Sequence, residues 1–189
     1  MAHVTFIHGL VNNPGPQALL RSWTTALGLD VTTSMVYWAD VPGLHAEVRQ
    51  RTVDTLWQAT NRPGPQIVIS HGIGTVIAYD CLKRVDECPA VDAFFTLGSP
   101  LGLDHVQTRL RPEWTRRDGF PSETLVGPWR NLYDRLDPVC ASNPLLAGDF
   151  KRNGKTMVQD IEVRMVCHQA TGYLGSAVLR DELLTVLGN

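Results

Sequence analysis

The chain has 189 residues, of which 43% are hydrophobic and 19% charged, and its formal net charge is −2. That length suits one domain with one well-buried core, so residues 1–189 read as a single unit. The near-neutral balance gives no reason to expect nucleic acid or an anionic membrane as a partner.

The opening residues, Met1 to Gly9, lack a basic region followed by a long apolar run, so they do not read as a signal peptide. The longest apolar stretch, Ile67 to Ala78, is broken by polar residues and too short to span a bilayer. A cytoplasmic protein is therefore expected. The four cysteines, Cys81, Cys88, Cys140 and Cys167, have no metal-ligand spacing and read as reduced, buried thiols.

In chain order, Val4–His8 reads as a first strand. A loop over residues 12–16 follows, and then a helix on which Leu19, Leu20, Trp23 and Leu27 recur at helical spacing. Val31–Trp38 is the second strand. Pro42 and Gly43 punctuate it, and the next helix turns Leu44, Val48 and Leu56 toward the sheet. Pro63 and Pro65 end that helix. Ile67–Ser70 is the third strand with its helix over Ile73–Val85, and Val91–Leu97 is the fourth strand. Trp129–Tyr133 and Ile161–Val166 complete a set of six, and a last helix carries Leu179, Leu183, Leu184 and Leu187. Apolar runs alternating with helices predict a mainly parallel sheet between two helical layers, an α/β/α sandwich. Residues 101–128, which hold four arginines, are long for a plain connection and read as a short lid-like segment.

The segment from Ile67 to Asp80 has the form strand, sharp turn, helix, with Ser70-His71-Gly72-Ile73-Gly74 at the turn. It resembles the nucleophile elbow of the α/β-hydrolases, where small-x-Ser-x-Gly raises a serine above the sheet. Here Gly72 stands at the serine position. His8-Gly9-Leu10 after the first strand is similar to that superfamily's His-Gly-x motif, and the resemblance extends through Gly98-Ser99-Pro100 to the final helix. It points to a minimal α/β-hydrolase fold and a compact bacterial serine hydrolase without a large cap.

The resemblance implies a set of site residues. The order nucleophile, acid, histidine assigns the acid to Asp137 of Asp-Pro-Val, with Asp134 as the second candidate, and the base to His168. The backbone N–H groups of Leu10 and Ile73 are the implied oxyanion donors, aided by the helix N-terminus at Ile73. Both aspartates also suit plain turns. His3, His45 and His105 have no comparable context, and Ser70, Ser99 and His71, the last a usual neighbour of the nucleophile beside the elbow, are weaker substitutes for it. Trp114 and Phe120 either line an apolar acyl pocket or pin their loop to the core. Arg109, Arg111, Arg116 and Arg117 either meet an anionic group or are solvated.

The implied partner is a small-molecule acyl substrate, with no cofactor and no metal. Nothing in the sequence selects an ester over a thioester or a lactone. Glycine suits the positive φ of an elbow but has no attacking atom. Three explanations stay open: a serine replaced to inactivate a hydrolase, a ligand-binding pseudoenzyme, or a non-covalent reaction with His168 and Asp137 as general base.

Overall fold

The computed structural model describes residues 1–9, 15–38, 46–84, 86–110, 114–164 and 168–188. Strands β1 (His3–Ile7), β2 (Thr32–Val36), β3 (Gln66–His71), β4 (Ala93–Leu97) and β5 (Trp129–Tyr133) form one sheet with β8 (Val158–Glu162). Its order is β2-β1-β3-β4-β5-β8. Every pair in it is parallel. A small antiparallel hairpin, β6 (Lys151–Arg152) and β7 (Lys155–Thr156), lies apart from it.

Helices α1 (Pro16–Leu27), α2 (Ala46–Ala59), α3 (Gly74–Leu82), α4 (Asp104–Gln107), α5 (Ala170–Leu174) and α6 (Ala177–Leu187) complete the chain. Alternate residues of each strand point to opposite faces, so the sheet divides the core in two. Phe6, Ile69, Phe95 and Leu132 face α1, α5 and α6 and pack with Trp23, Tyr173 and Leu183. Ile7, Val68, Phe94 and Trp129 face α2 and α3 and pack with Leu56, Tyr79 and Leu82. The central strands β1, β3 and β4 are almost wholly buried, as continuous apolar runs require, whereas β2 and β8 are half-exposed edges.

Helix ends follow local chemistry. Pro16 starts α1, and Gly28 closes it in the left-handed region at φ 62°. Ser176 caps α6 by accepting from the Leu179 N–H at 3.2 Å.

The expected elements are present, with shifted bounds. The sixth strand of the main sheet, expected over Ile161–Val166, runs over Val158–Glu162. The apolar run misled because this edge strand alternates Val158, Gln159, Asp160, Ile161, and Val166 lies outside the described residues. The third helix stops at Leu82, and Val91 forms an isolated bridge to Leu125 ahead of β4. Pro42, Gly43, Leu44, His45 and Val85 also lie outside the described residues.

The order of strands reverses between β1 and β3: β2 lies on one side of β1, and everything later lies on the other. In an open parallel sheet such a switch point leaves a crevice beyond the carboxyl ends of the strands. His8, Gly9 and Gly72 sit at that place.

Candidate active site

Strand β3 ends at His71, and the chain turns into α3 through Gly72, whose φ is +56°. The turn is held from both sides. The Gly72 N–H donates to Leu97 O at 3.0 Å, and the Thr75 hydroxyl donates to Gly72 O at 2.7 Å. Gly74 must also be glycine, for a different reason. A Cβ there would lie 2.5 Å from the carbonyl oxygens of both Ile7 and His8, so only a bare backbone lets α3 start against β1. The Ile73 N–H, at the first turn of α3, is taken up by no hydrogen bond among the described residues. Leu10, its expected companion, lies outside the described residues.

On the β1 side, His8 is fully buried. Its Nδ1 donates to Gly9 O at 2.6 Å, its Nε2 accepts from the Trp38 N–H at 3.2 Å, and its ring stacks on Trp38. With both nitrogens engaged, His8 shapes the loop.

Asp137 and His168 come together across 31 positions of sequence, with His168 Nδ1 donating to Asp137 Oδ2 at 2.6 Å. The same Oδ2 accepts from the Tyr173 hydroxyl at 2.8 Å, and Oδ1 accepts from the Val139 N–H at 2.9 Å. Burial pushes the Asp137 carboxyl upward. The bonds from His168, Val139 and Tyr173 outweigh that and hold it below the usual carboxylate range. An ionised Asp137 accepting at Nδ1–H leaves the other nitrogen, Nε2, as the free acceptor.

That nitrogen faces Gly72. A Cβ built on Gly72 would stand 3.0 Å from His168 Nε2 and 3.5 Å from Cε1. A hydroxyl on that carbon would fall within hydrogen-bonding reach once the ring withdrew by a few tenths of an ångström. Asp134 is placed differently: its Oδ1 accepts from the Leu136 N–H at 2.8 Å, closing a local turn.

Two neighbours, Gly98 and Tyr173, are assigned no role by the sequence, and a third, His71, enters only as a weak substitute nucleophile beside the elbow. Gly98, at the end of β4, has φ +53°, and a Cβ there would lie 2.5 Å from Asp137 Oδ2 and 3.1 Å from His168 Nδ1. Only glycine leaves room for Asp137 and His168 to meet. Tyr173 of α5 is fully buried, donates to Asp137 and accepts from the Asp134 N–H at 3.2 Å, which ties the acid loop to the last two helices. His71 is fully buried, and its ring stacks on His168 with centroids 4.2 Å apart. Neither of its ring nitrogens has a partner among the described residues. Burial, then the neighbouring His168, drive its pKa down to about 3, so it offers His168 a neutral face. A Gly-Ser-Pro after a buried strand, and a tyrosine five residues after a candidate base, were the available signals.

Ser70 and Ser99 have structural partners. The Ser70 hydroxyl donates to Phe95 O at 3.3 Å. Ser99 Oγ accepts from the Leu101 N–H and shares a 2.7 Å hydrogen bond with Thr75 Oγ1. His3 bonds Thr32 and Ser34 across β1 and β2.

Phe120 is 4% exposed and packs on Trp129, and Trp114 packs on Phe150, so both pin their loop to the core. The Tyr79 hydroxyl fastens the same loop by donating to Gly119 O at 2.7 Å. A cavity of about 390 Å³ opens instead beside Ile73, with an apolar lining of Val48, Ile73, Val76, Ile77, Val106 and Leu110. Arg49, Asp80, Arg84, His105 and Arg109 supply its polar rim. Its size is within the ~300–1,000 Å³ typical of small-molecule sites.

The described cysteines, Cys81, Cys88 and Cys140, are free and buried. Burial pushes the Cys88 and Cys140 thiols up to about 12, which makes them poor nucleophiles. Among the described residues no group of acidic, histidine or cysteine side chains is arranged to hold a metal ion, and no helix is long and apolar enough to cross a membrane.

The sequence matches no protein-family profile and no curated protein. Solved structures do match. A metagenome-derived lipolytic enzyme, from work on LipS and LipT, is 12% identical with a TM-score of 0.63, over 100% of this chain and 94% of its own. Est1E from Butyrivibrio proteoclasticus is 9% identical with a TM-score of 0.66, over 99% of this chain and 88% of its own. The ydeN gene product of B. subtilis is 12% identical with a TM-score of 0.62, and each chain covers 100% of the other. The chain has the α/β-hydrolase fold. Its sheet of six parallel strands with helices on both faces is a minimal version of it.

Proposed function

We propose that this chain carries the machinery of a serine-type hydrolase for an ester, thioester or related acyl compound, with Gly72 standing at the nucleophile position. Asp137 orients His168 and stabilises its protonated form. His168 Nε2 takes the proton from a hydroxyl on the residue at position 72. The N–H groups of Ile73 and Leu10 receive the oxyanion that forms as the carbonyl is attacked. The observation that carries this reading is the 3.0 Å between His168 Nε2 and the place where a side chain at position 72 would begin. The fold shared with a lipolytic enzyme and with Est1E supports it. No cofactor enters the scheme.

With glycine at position 72 the covalent route is closed, and little or no ester turnover is expected of the chain itself. The same distance also favours a second reading. The imidazole stands closer to Gly72 than a hydroxymethyl group would comfortably permit, as it would if His168 acted as a general base on a water or a substrate hydroxyl.

The test is Gly72→Ser, assayed beside the unaltered protein on short and long acyl p-nitrophenyl esters. A gain of about a thousandfold or more, abolished by a second change His168→Ala, is the expected result. A folded variant without turnover would overturn the hydrolase reading. Activity of the unaltered protein that disappears on His168→Ala would establish the general-base route instead.

A further inference from the structure

The cavity beside Ile73 combines an apolar floor with a surplus of positive charge. Ile73, Val76, Ile77 and Asp80 lie along one side of α3, so the floor starts next to Gly72 and ends at a polar cluster. At 1.5 Å per residue, Ile73 to Asp80 spans about 10 Å. At the Asp80 end both carboxylate oxygens are taken. Arg49 Nε donates to Oδ2 at 2.8 Å, and Arg84 donates to Oδ1 from Nη2 at 3.2 Å and to Oδ2 from Nε at 3.3 Å.

The third guanidinium at this cavity, Arg109, has no ion pair or side-chain hydrogen bond among the described residues. The other arginines of its segment that the structure describes are directed elsewhere. Arg116 pairs with Asp149 at 2.8 Å, and Arg117 approaches Asp118 at 3.9 Å while 76% exposed.

We propose that this cavity binds the acyl part of the substrate, and that the acyl chain is apolar and ends in a carboxylate held by Arg109. An apolar chain fits the Val48–Ile73–Val76–Ile77 floor, and its carbonyl end lies toward Gly72. Arg109, unpaired among the described residues, is the guanidinium left to meet an anion, and its planar fork suits both oxygens of a carboxylate. The substrate is then the half-ester or half-thioester of a dicarboxylic acid. The position of the reacting carbonyl rests on the hydrolase reading; the binding of the charged chain does not.

The test needs no turnover. The unaltered protein is titrated with monoethyl suberate and with diethyl suberate, which differ in the terminal charge, by calorimetry and by amide chemical shifts at Ile77, Val106 and Leu110. The expected result is a roughly tenfold preference for the charged probe, the size of one hydrogen-bonded charge. Arg109→Ala should erase the preference, and Arg109→Lys should restore part of it. Equal binding of the two probes, or a preference indifferent to Arg109→Ala, would overturn the proposal. In Gly72→Ser, mono-p-nitrophenyl suberate is compared with p-nitrophenyl octanoate. Charge preference in binding without turnover of either ester would sink the hydrolase reading and leave the carboxylate site standing. Turnover of both esters at equal kcat/KM would do the reverse.

Discussion

The turn at Gly72 and the loop at Asp137 lie against each other, yet they differ in what they retain. The turn keeps every backbone feature of an elbow: positive φ, a hydrogen bond to β4, a hydroxyl cap from Thr75, and a glycine at position 74 that lets α3 close on β1. On the hydrolase reading proposed above, it lacks the one side chain that such a turn would display. The Asp137 loop holds a buried carboxylate that accepts three hydrogen bonds, one of them from an imidazole whose Nε2 faces Gly72. Backbone geometry is thus independent of the group it displays. A buried carboxylate is not independent of its partners, because it would be costly without them.

The largest effect that would sharpen this contrast is on the acid side. In a Gly72→Ser background, Asp137→Asn should lower kcat by about ten-thousandfold, the scale seen when a triad histidine loses its orienting acid. Asp134→Asn should leave more than a tenth of the rate, because Asp134 accepts from a local turn. Equal losses at the two positions, measured as kcat on one p-nitrophenyl ester, would break the assignment.

Gly98→Ala comes next. Its Cβ would meet Asp137 Oδ2 at 2.5 Å in a backbone with φ +53°, so steric and conformational penalties add. A loss of about 2–4 kcal/mol in denaturant unfolding is expected, together with disruption of the Asp137–His168 contact. An unchanged midpoint would show that β4 has more freedom than its contacts imply.

Acid should expose His71. Its folded pKa of about 3 lies below the ordinary histidine value of 6.5. Between those values the unfolded chain takes the proton and the folded chain does not. Stability should therefore fall by about 1.4 kcal/mol per pH unit as pH drops through that window. His71→Phe should flatten the slope there. His3, also lowered by burial, contributes in the same direction and would account for a residual slope. The lowered pKa of Asp137 acts at more acidic pH: its stabilisation is present above the usual carboxylate range and is lost as pH falls through its folded pKa. A slope over pH 4.5–6.5 that His71→Phe leaves intact would contradict the neutral, buried ring.

The smallest effect is Tyr173→Phe. Removing the hydroxyl leaves the Asp134 N–H without its acceptor and Asp137 with one donor fewer. About 1–2 kcal/mol of stability should be lost, with a several-fold fall in kcat in the Gly72→Ser background.

The fold was legible because its central strands are apolar on both faces. β5 falls on Trp129–Tyr133 as read, and β3 and β4 differ only at their ends. Legibility failed where burial is partial. In β8, Asp160 accepts from the Leu146 and Ala147 N–H groups and from Asn131, a long-range network with no local pattern. The β6–β7 hairpin has a local signal, Asn153-Gly154, whose positive φ values of 50° and 78° suit a tight two-residue turn.

At the site, the resemblance to the α/β-hydrolases, through their chain order and strand-end positions, points to Asp137 and His168. Tyr173 acts only through packing that brings distant segments together, so nothing in one dimension marks it; His71 is marked as a neighbour of the elbow, but its stacking on His168 is visible only in the fold. Among the four arginines of residues 101–128, only the folded chain separates Arg109, at the cavity, from Arg116 on Asp149.

The most direct measurement is covalent labelling of Gly72→Ser by a fluorophosphonate, read by intact mass and mapped by peptide sequencing, with the unaltered protein and the further change His168→Ala alongside. One adduct at position 72, absent from the unaltered protein and strongly reduced without His168, is the predicted result. A folded Gly72→Ser that takes no label, or takes it elsewhere, would contradict the claim that this site is a hydrolase centre lacking only its nucleophile.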